Sequence, residues 1–481
     1  MTNWKETSLD RAHNIKNFAR NLLHPSIKLG ITGLSKAGKT VFVTSLIHHL
    51  LNPSEMKFFE PIVAGRVKRI YLEPHPNDLL PRFDYEGNIE KLCANPPSWP
   101  AGTRRLSQLR LTIEYQRDNF LSKTLGPSKL HIDIIDYPGE WLLDLQLLEM
   151  SYKEWCENIY SAATEAKLKE RSANWLNMSQ SENPEAPLNE AAAKTAAVSF
   201  KSFLKENRDD IAKSDLLAPG RFLMPGDLED APALNFAPLR LKASNINEGT
   251  MAALMQRRFE SYKNDIVRPF YRATFTRIER QIILVDLLTI LNEGTLSLKV
   301  LQSKIANILS NYNPGANHWL TSIWNKRIDR LVFAATKADH LHHRQHDKIQ
   351  TLMSHITQAA IQKAKINGAD VKVQALASIR ATTEIEIEKE GEIYPALRGT
   401  PMKGETLGGE IFDGKTEAIV FPGDLPEDIE SFMQKETSSP QIEFINFEPP
   451  ECSKSGSDKN LPPLPHIRLD RALNMLFGDK L

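Results

Sequence analysis

Cysteine is scarce in this chain: there are three in 481 residues, Cys93, Cys156 and Cys452. They stand far apart and match no zinc or redox spacing, so neither kind of site is expected and the pattern suits a reducing cytoplasm. Long hydrophobic runs are missing as well. No apolar stretch is long enough to cross a bilayer, and the N-terminus lacks the apolar segment of a signal peptide. Both absences point to a soluble intracellular protein. Nor is there an excess of charge, since 60 basic residues offset 60 acidic ones. That removes the case for a general nucleic-acid surface, and no nucleic-acid partner is expected. The length suffices for two or three compact units.

What is present is a phosphate cradle. Gly33-Leu34-Ser35-Lys36-Ala37-Gly38-Lys39-Thr40 fits G-x-x-x-x-G-K-[ST]. Glycines let the backbone turn tightly and aim its N–H groups at phosphate oxygens. Residues 26–32 are apolar at alternate positions and read as a strand, and residues 41–51 read as a helix. Strand, loop and helix place the phosphate at a helix N-terminus. Gly33, Ser35, Lys36, Ala37, Gly38, Lys39, Thr40 and Val41 are therefore the expected phosphate contacts. Lys39 supplies positive charge for the outer phosphates, and the Thr40 hydroxyl is placed to ligate Mg²⁺.

Two further loops follow apolar strands. After residues 129–135 comes Asp136-Tyr137-Pro138-Gly139, a D-x-x-G segment. Asp136 is the expected carboxylate of the Mg²⁺ shell, preferred over Asp133 because ligands gather at strand C-terminal ends. Gly139 is expected to offer its N–H to a γ-phosphate. After residues 330–335 comes Thr336-Lys337-Ala338-Asp339, the pattern [NT]-K-x-D. The Asp339 carboxylate suits the ring N–H and exocyclic amine of guanine. Adenine would leave it unpaired. The Lys337 stem is expected over the purine face, and Thr336 replaces the commoner Asn, with the loss of an amide contact. His340 follows directly at this base site. One helix later, residues 371–376 read as the last strand, and Ala377-Ser378-Ile379 follow where a backbone N–H meets the base oxygen.

These elements in this order resemble a Ras-like P-loop GTPase. More closely, the chain resembles the YcjX-like family of bacterial stress-associated GTPases. The phrases that carry the likeness are Asp136-Tyr137-Pro138-Gly139-Glu140-Trp141, Arg280-Gln281-Ile282-Ile283-Leu284-Val285-Asp286 and Thr336-Lys337-Ala338-Asp339-His340-Leu341-His342-His343. The resemblance implies binding of GTP and GDP with Mg²⁺, hydrolysis of GTP, and a link to envelope stress. It also implies a membrane-protein neighbour, and with it a peripheral position at the inner membrane.

Spacing shows what has been added to such a core. From Thr40 to Asp136 is 96 residues and from Asp136 to Thr336 is 200. The expected architecture is an α/β, mostly parallel sheet with a large, mainly helical insert and a small β insert. The core's first part is 1–142, the helical insert 143–278, and the core's second part 279–481. Within the first part, 52–104 is a proline-bearing insertion expected over the phosphates. Within the insert, 146–177, 191–207 and 248–277 read as helical and 179–187 as a polar loop. Arg280 to Leu288 reads as a core strand and Thr295 to Tyr312 as a helix. The β insert covers 383–425, where Ile and Glu alternate, and Asp470 to Phe477 reads as a closing helix. Between them, 438–465 reads as a connection.

Several residues carry two readings. Glu140 stands where Ras-like enzymes commonly have a water-positioning Gln, so it either orients the attacking water or favours a helix start. Thr103 and Ser107 are the switch hydroxyls available to Mg²⁺. Arg104 and Arg105 are candidates for an arginine finger in cis, against an ordinary surface role. His342 and His346 share a helical face that suits zinc. No acidic or cysteine partner is near in sequence, so the bland reading, an exposed helix start, is preferred. An apolar stripe from Leu9 to Leu23 packs on its own domain or lies on a membrane surface. Apart from a GTP-hydrolysing switch, an ATPase or kinase and a nucleotide-binding stress scaffold with negligible turnover remain open.

Overall fold

The computed structural model describes residues 25–33, 37–75, 80–103, 105–116, 127–164, 169–207, 219–241, 246–274, 278–295, 297–299, 301–302, 328–389, 391–434, 443–452 and 464–481. Leu34, Ser35 and Lys36 of the P-loop, Arg104, the N-terminal stripe, most of the 295–312 helix and parts of the 438–465 connection lie outside the described residues.

β1 (Ser26–Gly33) is apolar at alternate positions, with Ile27 buried and Leu29 and Ile31 fully so. It pairs in parallel with β4 (Ser128–Asp136) on one side and β5 (Arg280–Val285) on the other. β6 (Arg330–Ala335) and β7 (Asp370–Ala375) extend the parallel run. Beyond β4 the direction reverses, with β3 (Ser107–Tyr115) and then β2 (Val67–Glu73) antiparallel to their neighbours. The sheet order is β2-β3-β4-β1-β5-β6-β7, the expected mostly parallel α/β architecture. Its consequence for function is positional. The C-terminal ends of β1, β4, β5, β6 and β7 all open on one edge of the sheet, together with the start of β3.

Helices cover both faces. α1 (Lys39–Leu51) buries Phe42, Leu46, Ile47 and Leu50 in one core, against Leu473 and Leu476 of the C-terminal helix Leu469–Phe477. On the opposite face, Leu352, Met353 and Ile356 of the helix His346–Ile356 meet Leu331 and Phe333 of β6.

The 52–104 insertion, whose internal elements the sequence reading leaves open, contributes the edge strand β2 and the helix α2 (Tyr85–Leu92), which Asp84 caps by accepting from Gly87 N. Other elements differ from the sequence reading. β5 stops at Val285, short of Leu288, because Asp286 accepts from the N–H and hydroxyl of Thr289 and starts the helix Leu287–Asn292. The helical segment expected from 146 is broken. A 3₁₀ helix spans Gly139–Glu149, and α3 (Tyr152–Thr164) begins afresh behind Ser151. Ser151 and Glu154 exchange backbone and side-chain hydrogen bonds, a reciprocal capping box that fixes this start.

The insert continues through α4 (Lys169–Gln180), α5 (Glu190–Glu206) and α6 (Met251–Ser261). α6 starts three residues later than read, where Thr250 accepts from Ala253 N. Trp155 lies against Phe200, Phe236 and Phe259, with ring centroids 5.6, 5.4 and 5.1 Å away. The same apolar cluster includes Tyr137 and Trp141 of the D-x-x-G segment. The insert's core therefore runs without a break into the loop at the end of β4. The small β insert forms a three-stranded antiparallel sheet of β8 (Thr383–Lys389), β9 (Glu392–Gly399) and β12 (Ala418–Val420), plus a hairpin of β10 (Thr406–Leu407) and β11 (Glu410–Ile411).

The reading of the cysteines requires correction. Cys93 and Cys452, separated by 359 residues, are joined in a disulfide, while Cys156 is buried and free. Spacing along the chain cannot reveal a pair that the fold brings together, so the compartment inferred from it loses that support. Among the described residues no helix is long and apolar enough to cross a membrane.

Candidate functional site

The P-loop helix starts under a conformational constraint. Gly38 has φ +76°, in the left-handed region that side-chain-bearing residues rarely enter, and its carbonyl accepts from Phe42 N at 2.8 Å. Ala37 and Thr40 are buried, and Gly33 ends β1 against Ala37 and Leu284. Lys39 is the first residue of α1. Its Nζ stands 3.0 Å from Asp136 Oδ1 and donates to the Tyr137 carbonyl. Burial, the largest influence, pushes the Lys39 ammonium below its ordinary value, while the charges of Asp136 and Glu140 pull it back up.

Three oxygen donors from three segments converge beside it. Thr40 Oγ1 is 3.2 Å from Thr103 Oγ1, and the Thr103 hydroxyl donates to Asp136 Oδ2 at 2.7 Å. Asp136 is buried, and besides the Thr103 hydroxyl on Oδ2 its carboxylate faces the Lys39 ammonium through Oδ1. The competing carboxylate is engaged elsewhere: Arg110 grips Asp133 through two hydrogen bonds of 2.6 and 2.8 Å inside the sheet. Ser107 begins β3 opposite Asp136 in register and is buried. Thr103, by contrast, makes contact with both Thr40 and Asp136. Arg105 is exposed on the same loop. Gly139 and Glu140 open the 3₁₀ helix and are half-buried. Tyr137, unremarked in the sequence, anchors this loop: its hydroxyl bonds Thr32 Oγ1, which also accepts from Gln281 Nε2 at 3.1 Å. Nothing in the spacing of D-x-x-G marks its second residue for such a role.

The second loop cluster lies at the ends of β6 and β7. Lys337 adopts φ 58° and reaches both Asp286 Oδ2 at 2.6 Å and Asn446 Oδ1 at 2.7 Å. Neither pairing is legible in the sequence, since the partners come from other parts of the chain. Thr336 N donates to the Val285 carbonyl at 2.9 Å. Asp339 is buried. Its Oδ2 accepts from Ala381 N at 2.9 Å, and its carbonyl accepts from the Thr382 hydroxyl. His340 is buried edge-on to Phe447, with centroids 5.1 Å apart, and burial pushes its imidazolium below the ordinary value. Ala377 N donates to the Ile467 carbonyl, which commits that amide. Ser378 accepts a hydrogen bond from Ser45 of α1, and Ile379 is buried. Ser45 thereby ties α1 to the loop after β7.

The profile described as "YcjX-like family, DUF463" matches residues 27–481 of the chain. A relative from Escherichia coli (strain K12), named "Ras-like GTPase YcjX", is 33% identical over 468 residues, covering 95% of this chain and 96% of the relative. A second relative of that name, from Shewanella oneidensis, is 30% identical over 494 aligned residues, covering 98% of each.

Proposed function

Since the chain belongs to the YcjX-like family, we propose that it binds GTP and GDP and hydrolyses GTP to GDP and phosphate with Mg²⁺, as a nucleotide-dependent switch. The observation that carries this reading is the meeting of Lys39, Thr40, Thr103 and Asp136 at one edge of the sheet that also presents Thr336 to Asp339. The relatives' name, Ras-like GTPase, supports the nucleotide class.

The donor set fits Mg²⁺. It consists of hard hydroxyl and carboxylate oxygens, the hydroxyls of Thr40 and Thr103 and the buried carboxylate of Asp136, brought together from three segments. Thr40, Thr103 and Asp136 would hold the ion, which would supply neutralisation of phosphate charge when bound. Lys39 would exchange the Tyr137 carbonyl for a phosphate oxygen. Gly139 would donate its N–H to the γ-phosphate. Glu140, whose charge already acts on Lys39, is assigned the orientation of the attacking water. Arg105, exposed on the Thr103 loop, is the described candidate for a cis arginine. Asp339 would accept from guanine, with Lys337 beneath the base and Ser378 or Ile379 supplying the N–H to the base oxygen. The setting in envelope stress, with a membrane-protein neighbour at the inner membrane, belongs to the same proposal and rests on family likeness alone.

One observation favours a second reading. Glu140 stands directly after Gly139 where the commoner residue is Gln, and its carboxylate would repel a γ-phosphate, which suits a nucleotide-binding scaffold of negligible turnover. Measuring affinity and phosphate release with GTP and ATP, for the wild type and Lys39→Ala, separates the readings. GTP is expected to win by at least ~100-fold, with Lys39→Ala losing nucleotide. Preference for ATP would sink the proposal, and GTP binding without phosphate release would leave the scaffold.

A further inference from the structure

Beyond the phosphate and base sites, a cluster of His and Glu side chains joins the base loop to the small β insert. His342 and His343 follow the base loop, and Glu384 is the second residue of β8. Their nearest ligand atoms all lie within 4.8 Å of one another. His343 Nδ1 is 2.6 Å and His342 Nε2 is 3.7 Å from the same oxygen, Glu384 Oε2. The two imidazole rings are 4.2 Å apart between centroids. The partner that the sequence seemed to lack is thus supplied by a residue 41 positions further on. The pairing read from helical spacing is not the one that forms. His346 turns away and donates through Nε2 to the Ala338 carbonyl at 2.8 Å.

We propose that His342, His343 and Glu384 form a site for a divalent transition metal of the zinc class, clamping the β insert to the base-recognition loop. Two imidazoles and a carboxylate are the mixed nitrogen and oxygen set that suits such ions. Donors about 2 Å from a tetrahedral zinc ion lie ~3.3 Å from one another, so the three atoms need to move by an ångström or so. The surroundings also fit. Arg380 Nη2 sits 3.4 Å from Glu384 Oε1, the oxygen that faces neither histidine, and so orients the carboxylate from behind. Arg344, the other nearby guanidinium, is paired with Glu386 at 3.2 Å. Two contacts must give way to the ion: the short bond that His343 Nδ1 donates to Glu384 Oε2, whose place the metal takes, and the bond that His342 Nδ1 accepts from Arg344 N at 3.4 Å. A metal on Nε2 requires the other tautomer, so this long bond must be given up.

The clamp has a direct line to the base loop. Ala381 N and the Thr382 hydroxyl, immediately before β8, hold the carboxylate and carbonyl of Asp339. An ion joining Glu384 to the histidines would fix both ends of that short span.

The test is direct binding of Zn²⁺ to the full chain in excess Mg²⁺, by competition with a chromogenic chelator, together with the visible spectrum of the Co²⁺-loaded protein. The expected result is one ion per chain, a tetrahedral Co²⁺ spectrum, and affinity lowered at least ~10-fold in both His343→Ala and Glu384→Gln. His346→Ala, outside the cluster, should keep wild-type affinity. Circular dichroism without metal should show all variants folded, because His343 is largely exposed and the Glu384 change is isosteric. Absence of stoichiometric binding would overturn the proposal. So would binding that survives the double variant His343→Ala/Glu384→Gln. Neither readout depends on nucleotide, so failure here leaves the GTPase reading standing.

Discussion

Thr103 and Ser107 were equal candidates in the sequence, and geometry separates them. Thr103 touches both Thr40 and Asp136, whereas Ser107 is a buried strand residue opposite Asp136. Thr103→Ala should therefore weaken Mg²⁺-dependent GTP binding by ~10- to 100-fold, the worth of one charge-assisted contact. Ser107→Ala should stay within about threefold of the wild type. Titrating Mg²⁺ at fixed fluorescent GTP analogue reads both. A second residue matters for pH. Asp144 is fully buried, accepting from Gly220 N and from the Tyr262 hydroxyl at 2.7 Å. Burial outweighs those bonds and the Arg221 charge, and pushes its carboxyl up to about 6 from 3.8. A carboxyl raised on folding favours the folded state below its unfolded pKa, and that contribution is lost as pH rises through the folded one. Between pH 4 and 7 the loss amounts to about 3 kcal/mol at most, at about 1.4 kcal/mol per pKa unit. Urea unfolding of Asp144→Asn should gain on the wild type by up to that amount as pH rises across this window. Parallel curves would refute the assignment.

At the scale of elements, the decisive one is the 3₁₀ helix Gly139–Glu149, which belongs at once to the D-x-x-G loop and to the insert. Its close approach depends on Gly220. A Cβ there would collide with the Glu140 carbonyl. Beside it the Arg221 guanidinium lies 3.6 Å over the Trp141 ring, whose Nε1 donates to the Met224 carbonyl at 2.8 Å. Gly220→Ala should cost about 1–3 kcal/mol through overpacking and speed proteolysis of the insert, measured by thermal melts and timed digestion. Wild-type behaviour in both would show that the contact is slack. The elements readable in the sequence were those with strong local signals. β1, β4 and β7 alternate apolar with polar residues and β6 is an apolar run, each ending in a motif, and α1 and α5 are periodic. Those missed were set by partners far along the chain. β2 forms only because β3 offers an edge, β5 ends because Asp286 caps the next helix, and Cys93 meets Cys452 only in the folded chain. The same holds in the candidate site. Lys39, Thr40, Asp136 and Asp339 were named from their loops, whereas Tyr137, Asn446 and Ala381 act through contacts that spacing does not encode.

For the whole molecule, the arrangement joins two loop clusters on one sheet edge to an aromatic insert core that is continuous with the phosphate side. On the proposed function, guanine nucleotide occupies that edge, and the continuity of the insert core with Tyr137 and Trp141 would let the insert respond to it. All of this depends on the base. The most direct test is the affinity of the full chain for GTP and XTP, in the wild type and in Asp339→Asn. Because Asp339 is buried and bonded to Ala381 N, an isosteric amide should keep the loop while reversing the donor demand. The account predicts that the wild type prefers GTP and that Asp339→Asn shifts preference towards XTP by ~100-fold or more. An Asp339→Asn protein that still folds, still binds nucleotide and keeps the wild-type preference would contradict it.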